Sequence, residues 1–416
     1  MATFVPFAGF RPRADLAARI ASKPYDVLDS KEARQEAEGN EYSFLHVVKS
    51  EIDLPEDTNP YDDAVYAMAR RNLDRMIELG RLVQDDRPCF YLYRQEMNGN
   101  IQTGVVGCVS VEEYENNTIK KHEHTRETKE RDRIRHVDET NANTGPVFLT
   151  YRPSEKIDRL VEDWCDAHKC LYWFEVDGVQ HEFWVVDDPK VQKEITAHFQ
   201  KVRALYVADG HHRSASAAKV GAKRRAENPS HTGQEEYNFF MAVCFPSDQL
   251  NIIDYNRVVK DLNNRTEEQF LAELATKFRI ERMSDRGEPW RPRGKGQFGL
   301  YLDGIWYKVE APAEWSEVDD AVARLDVAIL QEHVLTGMLG IADPRTDERI
   351  DFVGGIRGLR ELERRVDEGQ FVMAIAMHPT SLDDLMAVAD SGRVMPPKST
   401  WFEPKLRSGL VVHRLD

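Results

Sequence analysis

Tyr206-Val207-Ala208-Asp209-Gly210-His211-His212-Arg213 is the stretch on which the reading of this chain turns. Ala204 to Ala208 is an apolar run of strand length, and the alanine-rich residues Ser214 to Asn228 read as a helix. The segment is therefore a strand, a tight turn and a helix. Gly210 lets the backbone turn sharply and lets a ligand approach it closely. A helix that opens here presents unpaired first-turn N–H groups and the positive end of its dipole, a combination that suits an anion. His211, His212 and Arg213 add side-chain donors in the same turn, and arginine is suited to two-pronged phosphate contact. The plainer alternative makes Asp209 a helix cap and the histidines packing residues. Two histidines and an arginine at one helix start favour phosphate binding over that alternative.

Outward from this turn, strands and helices alternate. Val65, Met68, Ala69, Leu73, Met76, Ile77 and Leu79 mark a helix over 61–82 that stops at Gly80. Cys89 to Arg94 and Thr103 to Val111 read as strands about an Asn98-Gly99-Asn100 turn. Residues 116–124 read as a third extended segment, and the charged run 126–139 as a solvated helix or mobile loop, with a phosphate clamp as the lesser alternative. Leu171 to Val176 and His181 to Asp187 form a hairpin around Asp177-Gly178. Helices over 265–277, 322–339 and 381–390, with strands near 298–310 and 371–377, continue the mixture. The class is α/β or α+β.

A chain of 416 residues exceeds what one core usually supports, so two or three units are expected. Its net charge of -16 argues against sequence-independent nucleic-acid binding, which needs a basic surface. A local basic pocket for one nucleotide is compatible with it. No stretch approaches the roughly 20 apolar residues of a membrane span, and Met1 to Arg13 lacks the apolar run of a signal peptide. Five cysteines, an odd and scattered set, suit reduced thiols, so a cytoplasmic protein is expected. Cys165, His168 and Cys170 do not have zinc-site spacing and are expected to pack.

Three further groups carry chemistry. In Lys121-His122-Glu123-His124 an extended backbone puts both histidines on one face and Glu123 on the other with Lys121. Glu123 as a general base would accept a hydroxyl proton during attack on phosphorus; the plain alternative is a solvated glutamate. His122 and His124 would join His211 and His212 as ligands only in a metal-dependent hydrolase. Lys398, Ser399 and Thr400 offer a cation and two hydroxyls to a phosphoryl group, or form an exposed loop. Asn256 and Arg257 position substrate or close a strand edge, and Tyr25 and Asp26 line the cleft or form a turn. Asp26 and Asp209 are the acids considered for magnesium.

The Asp-Gly-His-His-Arg turn and its helix resemble the phosphate-binding turn of the ParB and sulfiredoxin-like fold. Lys121-His122-Glu123, Asp254-Tyr255-Asn256 and Pro397-Lys398-Ser399-Thr400 match, in the same order, segments of the archaeal free-serine kinase of that fold. The whole chain also resembles a bacterial family recorded as a conserved domain of unknown function. Its hallmarks are Pro24-Tyr25-Asp26-Val27, Lys120 to Thr125, Asn256-Arg257-Val258-Val259 and Met395 to Phe402. The kinase resemblance implies a nucleotide-binding core over 88–260, flanked by an N-terminal α/β extension over 1–87 and a C-terminal α/β substrate domain over 261–416. It implies Glu123 as base, with Asp209 and His211 beside it in catalysis and Asp209 near the metal. Gly210, His211, His212 and Arg213 would hold the nucleotide. Tyr255, Asn256, Arg257, Lys398, Ser399 and Thr400 would hold the substrate. The implied activity is transfer of a phosphoryl group from ATP or ADP, with Mg2+, to free L-serine or a similar metabolite. A phosphoserine phosphatase and a non-catalytic nucleotide-binding switch are the alternatives. Neither nucleic acid nor membrane is an expected partner.

Overall fold

The segment Asn100–Ser110 is buried without interruption from Gln102 to Val109, the signature of a strand covered on both faces and paired on both edges. A computed structural model describes residues 2–283 and 287–416 of the chain. Contacts divide it into two units, Met1–Leu250 with Pro404–Asp416, and Asn251–Glu403.

The strands that form the main sheet of the first unit are β1 Phe4–Val5, β2 Phe90–Met97, β3 Asn100–Ser110, β4 Ile119–Lys120, β5 Val147–Tyr151, β6 Tyr172–Val176, β7 Val179–Val186, β8 Leu205–Asp209 and β9 Phe239–Pro246. Among the described residues they make one nine-stranded sheet in the order β4-β8-β5-β9-β3-β2-β7-β6, with β1 added beside β3. The sheet is mixed. β8 runs parallel to β4 and antiparallel to β5, and β9 runs parallel to β5. Its helices are α1 Asp63–Glu78, α2 Glu127–Thr140, α3 Glu155–Ala167, α4 Pro189–Phe199 and α5 His211–Glu227. Ile157, Val161 and Trp164 of α3, Phe199 of α4 and Ala217 and Ala218 of α5 share one core with Leu92, Val105, Leu149, Val207 and Phe240 of the sheet. A second core joins Ile20, Phe44, Leu73 and Met76 to Val412 from the chain end.

The second unit is an antiparallel sheet with its own core. Its strands are β10 Asn251–Ile253, β11 Tyr255–Val259, β12 Arg279–Arg282, β13 Gln297–Leu302, β14 Ile305–Glu310, β15 Ile350–Gly354, β16 Met373–Met377 and β17 Trp401–Glu403. Six of them run in the order β12-β14-β13-β16-β11-β15, and β10 pairs β17 separately. Val258, Trp306, Leu362 and Phe371 fill its core.

The expected mixed α/β class is what the structure has. Two local expectations shift and one open alternative is decided. Residues 116–124 contribute only the two-residue β4, because a short helix over Val111–Glu115 and the left-handed Asn117 occupy the approach, and 121–126 is loop. The charged run settles as the helix α2. The helix expected over 322–339 is an α-helical turn at Asp326–Leu330 that continues as a π-helix to Thr336. The three segments expected from sequence also differ from the two units observed. β1 lies in the main sheet, and the C-terminal residues return to the first unit, where His413 and Arg414 pair with Asn143 and Ala142. Among the described residues no helix is long and apolar enough to cross a membrane. All five cysteines are free, and the Trp164 ring stacks on His168 at 3.8 Å, as packing residues do.

Candidate active site

Parallel pairing explains how distant parts of the sequence meet. Leu205 faces Ile119 and Tyr206 faces Lys120, so both chains leave the sheet at the same end. Lys121-His122-Glu123 therefore emerges beside the turn Asp209-Gly210-His211. A register shift between Val207 and Asp209 interrupts pairing with β5 just before that turn, as a bulge does where a side chain must be re-aimed.

Gly210 holds φ at 93° and occupies the cap position of α5, with no side chain capping the helix. Asp209, the residue considered for that cap, instead accepts a 2.7 Å hydrogen bond from the Gly210 N–H on one carboxylate oxygen. Its other oxygen pairs with Lys405 Nζ at 3.1 Å. Desolvation opposes ionisation here, but Lys405, Arg213 and the Gly210 N–H outweigh it and hold the carboxyl well below the usual range. Arg213 turns back under the turn: its Nη1 donates to the Pro146 carbonyl, while its buried Nε has no hydrogen-bond partner.

His122 is 1 % exposed and His211 7 %. Their rings meet edge to face with centroids 4.5 Å apart. Neither nitrogen of His122, nor Nε2 of His211, makes a hydrogen bond. Such orphaned groups cost about 1–3 kcal/mol each. Burial pushes the His122 pKa down to about 3, with His211 adding to the effect, and holds His211 at about 4 against the pull of Asp209. Both rings are therefore neutral. Glu123, half-buried, places a carboxylate oxygen so that it and one nitrogen from each ring all lie within 4.8 Å of one another. His212 accepts the Arg126 N–H on Nε2 at 3.0 Å, and burial lowers its pKa.

Tyr25 lies under the Arg133 guanidinium at 4.0 Å, and Asp132 pairs with Arg133 at 2.8 Å while accepting the Tyr66 hydroxyl. Asp26 is exposed, and its charge acts on His212. A cavity of about 30 Å³, room for roughly one water, lies among Tyr25, Arg133, His136, Gly145, Arg213 and Ser408.

In the second unit, Tyr255, Asn256, Arg257, Lys398, Ser399 and Thr400 also come together. Asn256 donates to Asp254 at 2.6 Å and accepts the Met377 N–H at 2.9 Å, so it braces the strand. Arg257 is buried. It donates to the Tyr255 and Lys398 carbonyls and lies over the Phe352 ring, and burial lowers its guanidinium pKa to about 10. Lys398 has a left-handed backbone and holds Nζ 5.5 Å over the Tyr255 ring. Ser399 turns its hydroxyl inward to the Pro396 carbonyl. Lys398 and Thr400 remain partly exposed.

A family model described as "Protein of unknown function (DUF1015)" matches residues 4–328. The chain belongs to that family. No curated protein matches it. Among solved structures, similarity extends to a free serine kinase in complex with AMP, at 14 % identity and a TM-score of 0.37, over 73 % of this chain and 90 % of that one. A conserved hypothetical protein from Pyrococcus furiosus gives 13 % and 0.35 over 72 % and 92 %. SbnI with a C-terminal truncation from Staphylococcus aureus gives 10 % and 0.36 over 73 % and 85 %.

In this DUF1015 chain, Glu123, Asp209, Gly210, His211, His212 and Arg213, the residues expected in one site, all belong to the first unit. Lys405, the partner of Asp209, has no signal in the sequence, since that ion pair spans 196 residues and depends on the return of the C-terminal segment. Arg133 is hidden as well, because the mixed charge of α2 disguises it as a solvated residue. The one available signal was an arginine on the buried face of an otherwise polar helix. His124 is exposed and stands outside the histidine cluster.

Proposed function

We propose that the protein is a phosphotransferase that binds ATP or ADP, with Mg2+, at the start of α5 and passes a phosphoryl group to a hydroxyl of free L-serine or a similar metabolite. The observation that carries this reading is the placement of Glu123 against the first turn of α5 by the parallel β4–β8 pair. A general base thus stands beside an anion-binding helix terminus. The first-turn N–H groups, His212 and Arg213 receive the phosphates, and Gly210 allows them to come close. Glu123 accepts the proton of the acceptor hydroxyl as its oxygen bonds to phosphorus, and the bond from phosphorus to the remaining nucleotide breaks. Each Asp209 oxygen accepts one hydrogen bond and keeps a lone pair, so the residue fits a role in holding the cation that neutralises phosphate charge. His211 shapes the site beside Glu123. The motif resemblance assigns Lys398 and Thr400 to substrate, with Tyr255, Asn256, Arg257 and Ser399 supporting them, and all six belong to the second unit. Serine as acceptor rests on the motif resemblance.

A phosphohydrolase, a phosphoserine phosphatase among them, is the second reading, and the His122–Glu123–His211 cluster favours it. Calorimetric titration of wild type and Glu123→Gln with ATP and ADP, beside turnover assays, separates the possibilities. The phosphotransferase reading expects retained nucleotide binding and lost transfer in the variant. Unchanged turnover would sink it, and nucleotide binding without turnover in wild type would leave a binding switch.

A further inference from the structure

We infer that His122, Glu123 and His211 form a binding site for one transition-type divalent cation of the Zn2+ class, a site distinct from the magnesium expected near Asp209. Two buried imidazoles present three nitrogens without hydrogen bonds, and a carboxylate faces the same point. A neutral imidazole carries one donor and one acceptor. In His122 both are unanswered by any protein group, and an edge-to-face contact with His211 satisfies neither. A metal ion answers the acceptor nitrogen. The Val207 backbone acts on the His122 ring in the sense of a nearby carbonyl, the kind of partner that ligating histidines commonly use for the remaining N–H.

The donor set fixes the class of ion. Two ring nitrogens and one carboxylate oxygen match the borderline cations Zn2+, Co2+, Fe2+, Mn2+ and Ni2+, whereas Mg2+ and Ca2+ take oxygen ligands. Metal–ligand bonds of about 2.0–2.1 Å put ligand atoms of a tetrahedral site about 3.3 Å apart. The donors here lie within 4.8 Å of one another, so side-chain adjustment of an ångström or so closes the site. The ring of His211 sits on the first turn of α5, whereas His122 and Glu123 share a loop that can supply this adjustment. Three protein ligands leave at least one position open to water or to an oxygen of a ligand. With the ion bound, Glu123 is a ligand and is no longer free to accept a proton, so ion and acceptor hydroxyl compete for one carboxylate.

The inference stands independently of phosphoryl transfer, and its test needs no turnover. Metal-stripped full-length protein is titrated with Co2+ and with Zn2+, followed by visible absorption and calorimetry. Wild type is expected to bind one equivalent. His122→Gln and His211→Gln should weaken binding by more than about 100-fold, the upper end of what losing a partner outside the ligand shell costs. Glu123→Gln, at a half-buried loop position that tolerates the change, supplies the same test if a histidine variant fails to fold. His124→Gln, on an exposed ring, should bind as wild type. Absence of one-to-one binding in wild type overturns the site, as does undiminished binding in folded variants of the three ligands. Donor consumption by the metal-stripped protein supplied with Mg2+ alone keeps the two readings apart: Co2+ or Zn2+ binding with no turnover in the stripped protein contradicts phosphoryl transfer alone, and turnover there without Co2+ or Zn2+ binding contradicts the metal site alone.

Discussion

A methyl group on Gly210 would stand 3.2 Å from Arg213 Nε on a backbone with φ of 93°. Gly210→Ala is therefore expected to lose about 1–2 kcal/mol of stability through the left-handed backbone, with nucleotide binding impaired as Arg213 is displaced. Urea unfolding and calorimetry check both, and a variant as stable as wild type would contradict the strain. Asp326 offers a pH test in the second unit. Its buried carboxyl accepts the Gly296 N–H at 2.8 Å, and burial, with Asp384 adding, pushes its pKa from 3.8 to about 6. The folded state therefore holds a proton that the unfolded chain releases. The stability this contributes is complete below 3.8 and is lost as pH rises through about 6. Asp326→Asn should be more stable than wild type well above that window, by at most about 3 kcal/mol, and the difference should vanish below it. A difference independent of pH would contradict this. At this scale the sequence was informative where residues are neighbours: the Asp209–Arg213 turn was legible because a strand, a glycine and a helix start follow one another. The Asp209–Lys405 pair was not legible, because only tertiary pairing brings those residues together, and His122 met His211 in the sequence only as one ligand of a metal-dependent hydrolase.

Helix α5 shows how packing overrides local propensity. Replacing Gly221 by alanine in a helix interior ordinarily gains about 1 kcal/mol. Here the added carbon would lie 2.6 Å from the Tyr237 carbonyl oxygen and 3.4 Å from both Val111 methyl groups. A backbone oxygen cannot move aside as a side-chain tip can, so Gly221→Ala is expected to lose about 1–3 kcal/mol net. Denaturant midpoints measure this, and a stabilised variant would show that α5 packs less closely than described. Element types were legible where side chains announce them, as in the Asn98-Gly99 hairpin and the apolar period of α1. The segment at 116–124 misled because β4 pairs through only two residues, and its loop is fixed by what lies next to β8.

At the scale of the molecule, the second unit is inserted into the sequence of the first, leaving after Leu250 and returning at Pro404. Its first and last strands pair antiparallel, with Asn251 opposite Glu403, so its ends are neighbours. A unit with its own core and adjacent ends is expected to fold when expressed alone as residues 251–403, and cooperative thermal unfolding of that fragment is the predicted result. A fragment that melts without a transition would contradict its independence. Composition and length anticipated more than one unit, but no linker-like stretch announced the insertion, since the boundaries fall between paired strands. Whether the Glu123 carboxylate and the start of α5 make a phosphoryl-transfer site is decided by phosphorus NMR of the full-length protein with Mg2+ and L-serine, supplied in turn with ATP, ADP and pyrophosphate. A new phosphomonoester signal from one of the nucleotides, absent with Glu123→Gln, is expected; every donor remaining intact with wild type would rule the site out.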